Sequence, residues 1–140
     1  MSNYIEKRSL SADAAKKMIM AAEAKARETG IFISTTIVDE GGVLKAFSRM
    51  DNSPLICSDA SRKKAVTAVG YGMPSGESWY NYIKDDPILF NGIQQFTDFI
   101  LLGGGMPVFS EGSLIGAIGI SGGHYKQDEA CCQAALDAIA

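Results

Sequence analysis

The sequence predicts an α/β (α+β) fold: a single layered domain with a central antiparallel sheet of about five strands covered by helices. Three observations carry this. A capped amphipathic helix precedes the first β-branched segment, the strand-like segments that follow are joined largely by short turn sequences, and a second helical pattern closes the chain. Successive hairpins favour antiparallel pairing, whereas repeated strand-helix-strand crossovers would favour a parallel sheet. With 140 residues, 46% hydrophobic and 21% charged, the chain is long enough to bury one core, and no linker or internal repeat divides it.

The first helix begins at Ser11, with Leu10 ahead of the cap and Ala15, Met18, Ile19, Ala22 and Ala26 along one face, and it ends at Gly30. Asp13 with Lys17, and Glu23 with Arg27, stand one turn apart on its wet side, so this helix reads as a sheet cover. Ile31–Val38 and Val43–Ser48 then form a hairpin across the Asp39–Gly42 turn, whose length leaves the register open. A second helix, capped by Ser58 or Asp59, runs to about Val69, with Ala60, Ala65, Ala68 and Val69 inward. Residues 70–95 are irregular and aromatic, broken at Asp85–Pro87, and read as a loop closing the core edge or an interface, or else as a lid. Asp98–Leu102, Pro107–Phe109 and Leu114–Ile120 read as further strands, and Gln127–Ile139 as the closing helix with Cys132, Ala135, Leu136 and Ile139 on one face.

Charge and leader patterns exclude several functions. The formal charge of −3, spread without a basic stripe, leaves neither nucleic acid nor anionic lipid as an expected partner. The N-terminal residues resemble no signal peptide and no apolar run spans a bilayer, so a cytoplasmic location is expected. Cys57, Cys131 and Cys132 show no metal or disulfide spacing and are expected to be structural.

Function is expected in the glycine-rich run from Leu101 to Asp128. Gly103–Gly105 follow a strand-like segment but lack the spacing of a dinucleotide fingerprint and the Lys-Ser/Thr ending of a phosphate loop. Ser121–His124 precede a helix, so free N–H groups there can hold a carboxylate or another anion. Gly119–Gly123 satisfies the bare Gly-x-Ser-x-Gly pattern, but the chain lacks the hydrolase scaffold and the later partners that a Ser121 nucleophile needs. His124, the single histidine, is either a haem-iron ligand, a proton carrier or a plain loop residue. Arg49 can clamp a carboxylate bidentately or pair with a nearby aspartate. Asp39 and Asp59 are candidate bases if burial raises them, and turn or helix caps otherwise. Lys64 reads as either a wet helix residue or an anion-binding ammonium.

Two stretches, "VDEGGVLKAFSRMDNSPLICSDASRKKAVTA" and "LLGGGMPVFSEGSLIGAIGISGGHYKQDEA", together resemble the GlcG/HbpS haem-binding-like family, which includes the C-terminal domain of PduO-type corrinoid adenosyltransferases. The resemblance implies a profilin-like domain over residues 10–140 after an N-terminal extension at 1–9, and homodimers assembling into an octamer. It also implies small-molecule binding, with haem or a small organic acid of a catabolic pathway as ligand. Arg49, Lys64, Gly104, Gly105, Ser121, Gly122 and Gly123 match its motif, and His124 stands beside them as a private addition to the loop. Some haem-binding relatives place an axial histidine in the first helix, and this chain has none there. Two other functions stay open at this point: acid-base chemistry on a small carboxylated metabolite using Asp39, Asp59 or His124, and a structural role in an oligomer.

Overall fold

A computed structural model describes residues 1–140. Helix α1 (Ala12–Thr29) starts where Ser11 accepts the Ala14 N–H and stops at Gly30, whose left-handed φ of 76° turns its N–H back onto the Ala26 and Arg27 carbonyls. The hairpin of β1 (Ser34–Asp39) and β2 (Leu44–Arg49) follows, and α2 (Cys57–Tyr71) crosses next. Two short helices, α3 (Glu77–Ile83) and α4 (Pro87–Ile93), lead to β3 (Gly105–Ser110), β4 (Ser113–Ser121) and α5 (Tyr125–Asp137).

The sheet has four strands in the order β2-β1-β4-β3, every pair antiparallel. The expected fifth strand at Asp98–Leu102 does not form. Its backbone is tied instead to a side chain of α2: Thr67 Oγ1 donates to the Asp98 carbonyl and accepts the Ile100 N–H. Phe99 and Leu101 are apolar because they pack on Trp79, Ile83 and Ile93, which is where the aromatic segment buries itself. That segment is helical on both sides of the Asp-Asp-Pro break, with Asp86 capping α4 through the Ile88 and Leu89 N–H groups. The break therefore separates two helices rather than ending structure.

Alternation along the strands sorts the core into two layers. Ile37, Ile118 and Ile120 face α1 and α5, meeting Met18, Ala22, Cys131 and Cys132, while Val38 and Ala117 face Ala65, Ala68 and Val69 of α2. The hairpin register, open in the sequence, is set by Asp39 Oδ1, which accepts the Gly41 and Val43 N–H groups, and by a shift between Ile37 and Val38 that brings Leu44 opposite Val38. The α2 start also differs from expectation: it begins at Cys57 behind Ile56 with no side-chain cap. All three cysteines are buried and unpaired, and burial pushes the Cys131 thiol up to about 11 and raises the Cys132 thiol too, as for inert packing residues.

Candidate functional site

One end of the sheet gathers most of the candidate residues. Arg49 ends β2 opposite Ser34, Ser34 in turn pairs with Ser121 at the end of β4, and the Ile120 N–H reaches the Gly104 carbonyl beside the start of β3. Four strand ends and the loop into α5 thus meet there. Asp39 lies at the far end of β1 opposite Gly116, and Asp59 is exposed on the first turn of α2. The three proton-transfer candidates are therefore not brought together with one another.

Beneath this end lies a charge pair. Lys64 Nζ donates to the Ile120 carbonyl at 2.8 Å and to Asp128 Oδ2 at 3.0 Å, with each side chain 2% exposed. Lys64 is thus neither a wet helix residue nor a free ammonium. Asp128 Oδ1 accepts the Gly123 N–H at 2.9 Å, and the Cys132 thiol donates to the Gly104 carbonyl at 3.1 Å, so α2, α5 and both glycine loops share one network. Burial lifts Asp128 above the ordinary carboxylate value, opposed by Lys64 and by the backbone N–H of Gly123. Glycine is needed here for space: at Gly104, with φ of 114°, a Cβ would lie 2.7 Å from the Ile120 carbonyl oxygen and 3.0 Å from Lys64 Nζ. At Gly105 it would run into the Lys64 backbone. These glycines let α2 and α5 close on the sheet end.

Arg49 stands free. Its guanidinium makes no ion pair or hydrogen bond within the chain, and the expected pairing with a nearby aspartate does not form. It lines an open basin of about 480 Å³ with Arg27, Phe32, Ser48, Met50, Asp51 and Asn52. Glu23 shares the basin but is engaged by Ser48 Oγ at 2.6 Å and by Arg27 at 3.8 Å. Asp39 is spent on the hairpin turn. The Arg62 hydrogen bond, helped by Lys63, holds Asp59 below the ordinary carboxylate value, the wrong direction for a base near neutral pH.

His124 caps α5. Its Nδ1 accepts the Lys126 N–H at 3.1 Å while Gln127 Oε1 accepts the His124 N–H at 3.0 Å, a reciprocal capping box. The neutral ring then carries its proton on Nε2, so ligation of haem iron through that atom would require moving the proton to Nδ1 and giving up the cap. The only histidine does not fit an axial ligand in this arrangement. No group of three or more His, Cys, Asp or Glu side chains is placed to hold a metal ion.

A second concavity, of about 640 Å³, escaped the sequence reading. It lies between Gly76, Glu77, Tyr80 and Asn81, the Leu101–Gly103 loop, and Tyr125 at the start of α5. Three segments far apart in the chain build it: Leu101–Gly103 and Tyr125 belong to the glycine-rich run where function is expected, whereas Gly76–Asn81 carries no motif of its own. No helix of the structure is long and apolar enough to cross a membrane.

The model of the family described as "Haem degrading protein HbpS-like" matches residues 10–137. A 15.0 kDa protein in the dhaT-dhaS intergenic region of Citrobacter freundii is 36% identical over 126 residues, 89% of this chain and 87% of the relative. Among solved structures, protein ORFY of Klebsiella pneumoniae is 30% identical with a TM-score of 0.93, covering 99% of this chain and 96% of its own. A PduOC:heme complex is 29% identical with a TM-score of 0.87, covering 94% and 95% of the two chains.

Proposed function

We propose for this chain, which belongs to the HbpS-like family, the role of a small-molecule-binding accessory protein whose ligand presents a carboxylate to Arg49. The observation that carries this reading is the guanidinium itself: a planar fork without a partner in the chain, in a basin that also holds Arg27 and the half-exposed ring of Phe32. Such a fork accepts a carboxylate bidentately, and the ring offers a face for the body of the ligand. A small organic acid satisfies both. Haem is the second reading, favoured by the likeness to a protein solved as its heme complex; here Arg49 and Arg27 would hold the propionates, and His124 would stay on α5. Acid-base catalysis draws no support from Asp39, spent on the hairpin turn, or from Asp59, paired with Arg62 and Lys63.

Self-association is part of the proposal. Leu44 and Phe47 on edge strand β2, with Leu55 and Ile56 ahead of α2, are exposed large apolar side chains, as a homodimer building toward an octamer would use. A cytoplasmic setting agrees with the buried free thiols.

Titration of the full-length protein with succinate and, separately, with haemin tests the reading, using calorimetry for the acid and the Soret band for haem. Binding of either that weakens about tenfold or more in Arg49→Ala, at unchanged oligomer mass, supports it. Affinity that survives the substitution removes Arg49 from the site.

A further inference from the structure

The cleft between α3 and α5 has a chemistry opposite to that of the Arg49 basin. Glu77 lines it, and Lys126 spans from α5 to place Nζ 2.9 Å from Glu77 and 3.8 Å from Glu129, 5.8 Å from the centroid of the Tyr125 ring. Glu129 lies against this wall, where Gly76 and Gly103 leave room for its carboxylate. Its Oε1 abuts Gly76 and Gly103, two lining residues, and a Cβ on Gly103 would strike it. It accepts no hydrogen bond, and its only cation is the distant Lys126. The rest of the wall is apolar or aromatic: Tyr80, Leu101, Leu102 and Tyr125.

Two carboxylates and an aromatic face around one ammonium are the elements with which proteins recognise organic cations. Lys126 is an exposed, flexible side chain, and Glu77 holds its ammonium above the ordinary lysine value. It occupies the charge position while the apolar part of the cleft stays open, at a volume in the range of small-molecule sites.

We propose that this cleft binds a small primary amine with an apolar or aromatic body, whose ammonium takes the place of Lys126 between Glu77 and Glu129 while its body packs on Tyr80, Leu101 and Tyr125. The site is independent of the Arg49 basin. Tyr125 serves twice, as a wall of the cleft and as a ring partner of His124 at 4.2 Å, which keeps the end of α5 in place beneath the ligand.

Phenethylamine and its near-isosteric anion phenylacetate distinguish the chemistry when titrated into the full chain at pH 7 and low salt, read by calorimetry and by the amide shifts of Gly76 and Gly103. Saturable binding of the amine, with little or none of the acid, is expected. Glu77→Gln and Glu129→Gln each weaken it about tenfold, as loss of a charge-assisted contact does. Lys126→Met, which removes the competing ammonium from the surface, tightens it several-fold, and Arg49→Ala leaves it unchanged. Equal binding of acid and amine, indifference to both glutamate substitutions, or no saturable binding of the amine overturns the proposal.

Discussion

Lys64 Nζ lies 3.0 Å from Asp128 Oδ2 with both side chains 2% exposed, 64 residues apart in sequence and joined across the layer that carries the two glycine loops. Removing one member of such a pair strands a buried charge, which costs about 3–5 kcal/mol, whereas replacing both with apolar groups is often neutral. Lys64→Met is therefore expected to lower unfolding free energy by about that amount, and Lys64→Met/Asp128→Leu to recover most of it. Urea denaturation of the three proteins checks this. A double variant as unstable as the single would mean that the pair is worth more than its packing.

The Lys64 position shows what was legible in the chain and what was not. Its neighbours Arg62 and Lys63 suggest a wet face, and both do sit at the surface with Asp59 and Asp98. Yet Lys64 is three residues after Ser61 and four before Ala68, both of which the structure buries, so it shares their inward face, which its own residue type does not announce. Local chemistry declared itself where the partner was near in sequence: the Ser11 cap, the Gly30 stop and the Asp39 turn. Asp98–Leu102 misled because Phe99 and Leu101 alternate like a strand while packing on the α3 and α4 cluster. The cleft was invisible because Gly76, Gly103 and Glu129 acquire meaning only when the fold brings them together.

Gly104 supports a second stability prediction. Its φ of 114° is unfavourable for a residue with a side chain, and the Cβ would also press on the Ile120 carbonyl, Lys64 Nζ and the Asp128 Cβ. Gly112, with φ of 81°, has nothing within 4 Å of that position. Gly112→Ala should cost about 1 kcal/mol, the backbone component alone, and Gly104→Ala clearly more, up to about 3 kcal/mol for the dihedral before any contact is counted. Equal shifts in denaturation midpoint would show that the network around Lys64 yields without cost.

Asp128 also gives stability a pH dependence of definite sign. Its folded value lies above the unfolded one near 3.8, so the folded protein favours the protonated acid more than the unfolded chain does. The contribution of this group is then greatest below the unfolded value and is lost as pH rises through the folded one. Asp128→Asn does not titrate at this position. The melting temperature of the parent protein minus that of the variant is expected to fall as pH increases from about 3.5 through the folded value, the other carboxylates cancelling in the difference. A difference that rises over the same window would mean that Lys64 and the Gly123 N–H outweigh burial.

His124 separates a structural role from a ligand role. As the cap of α5 it is expected to contribute about 0.5–2 kcal/mol, so His124→Ala should destabilise the protein by that amount in thermal or urea unfolding. His124→Asn, which can accept the same backbone N–H, should restore most of it. If haem binds through its propionates at the Arg49 basin, neither variant shifts the Soret band of the haem-loaded protein, because iron ligation by Nε2 and capping by Nδ1 demand opposite tautomers. A Soret shift in both variants, with stability unchanged, would show that the ring has left the helix end to reach the iron.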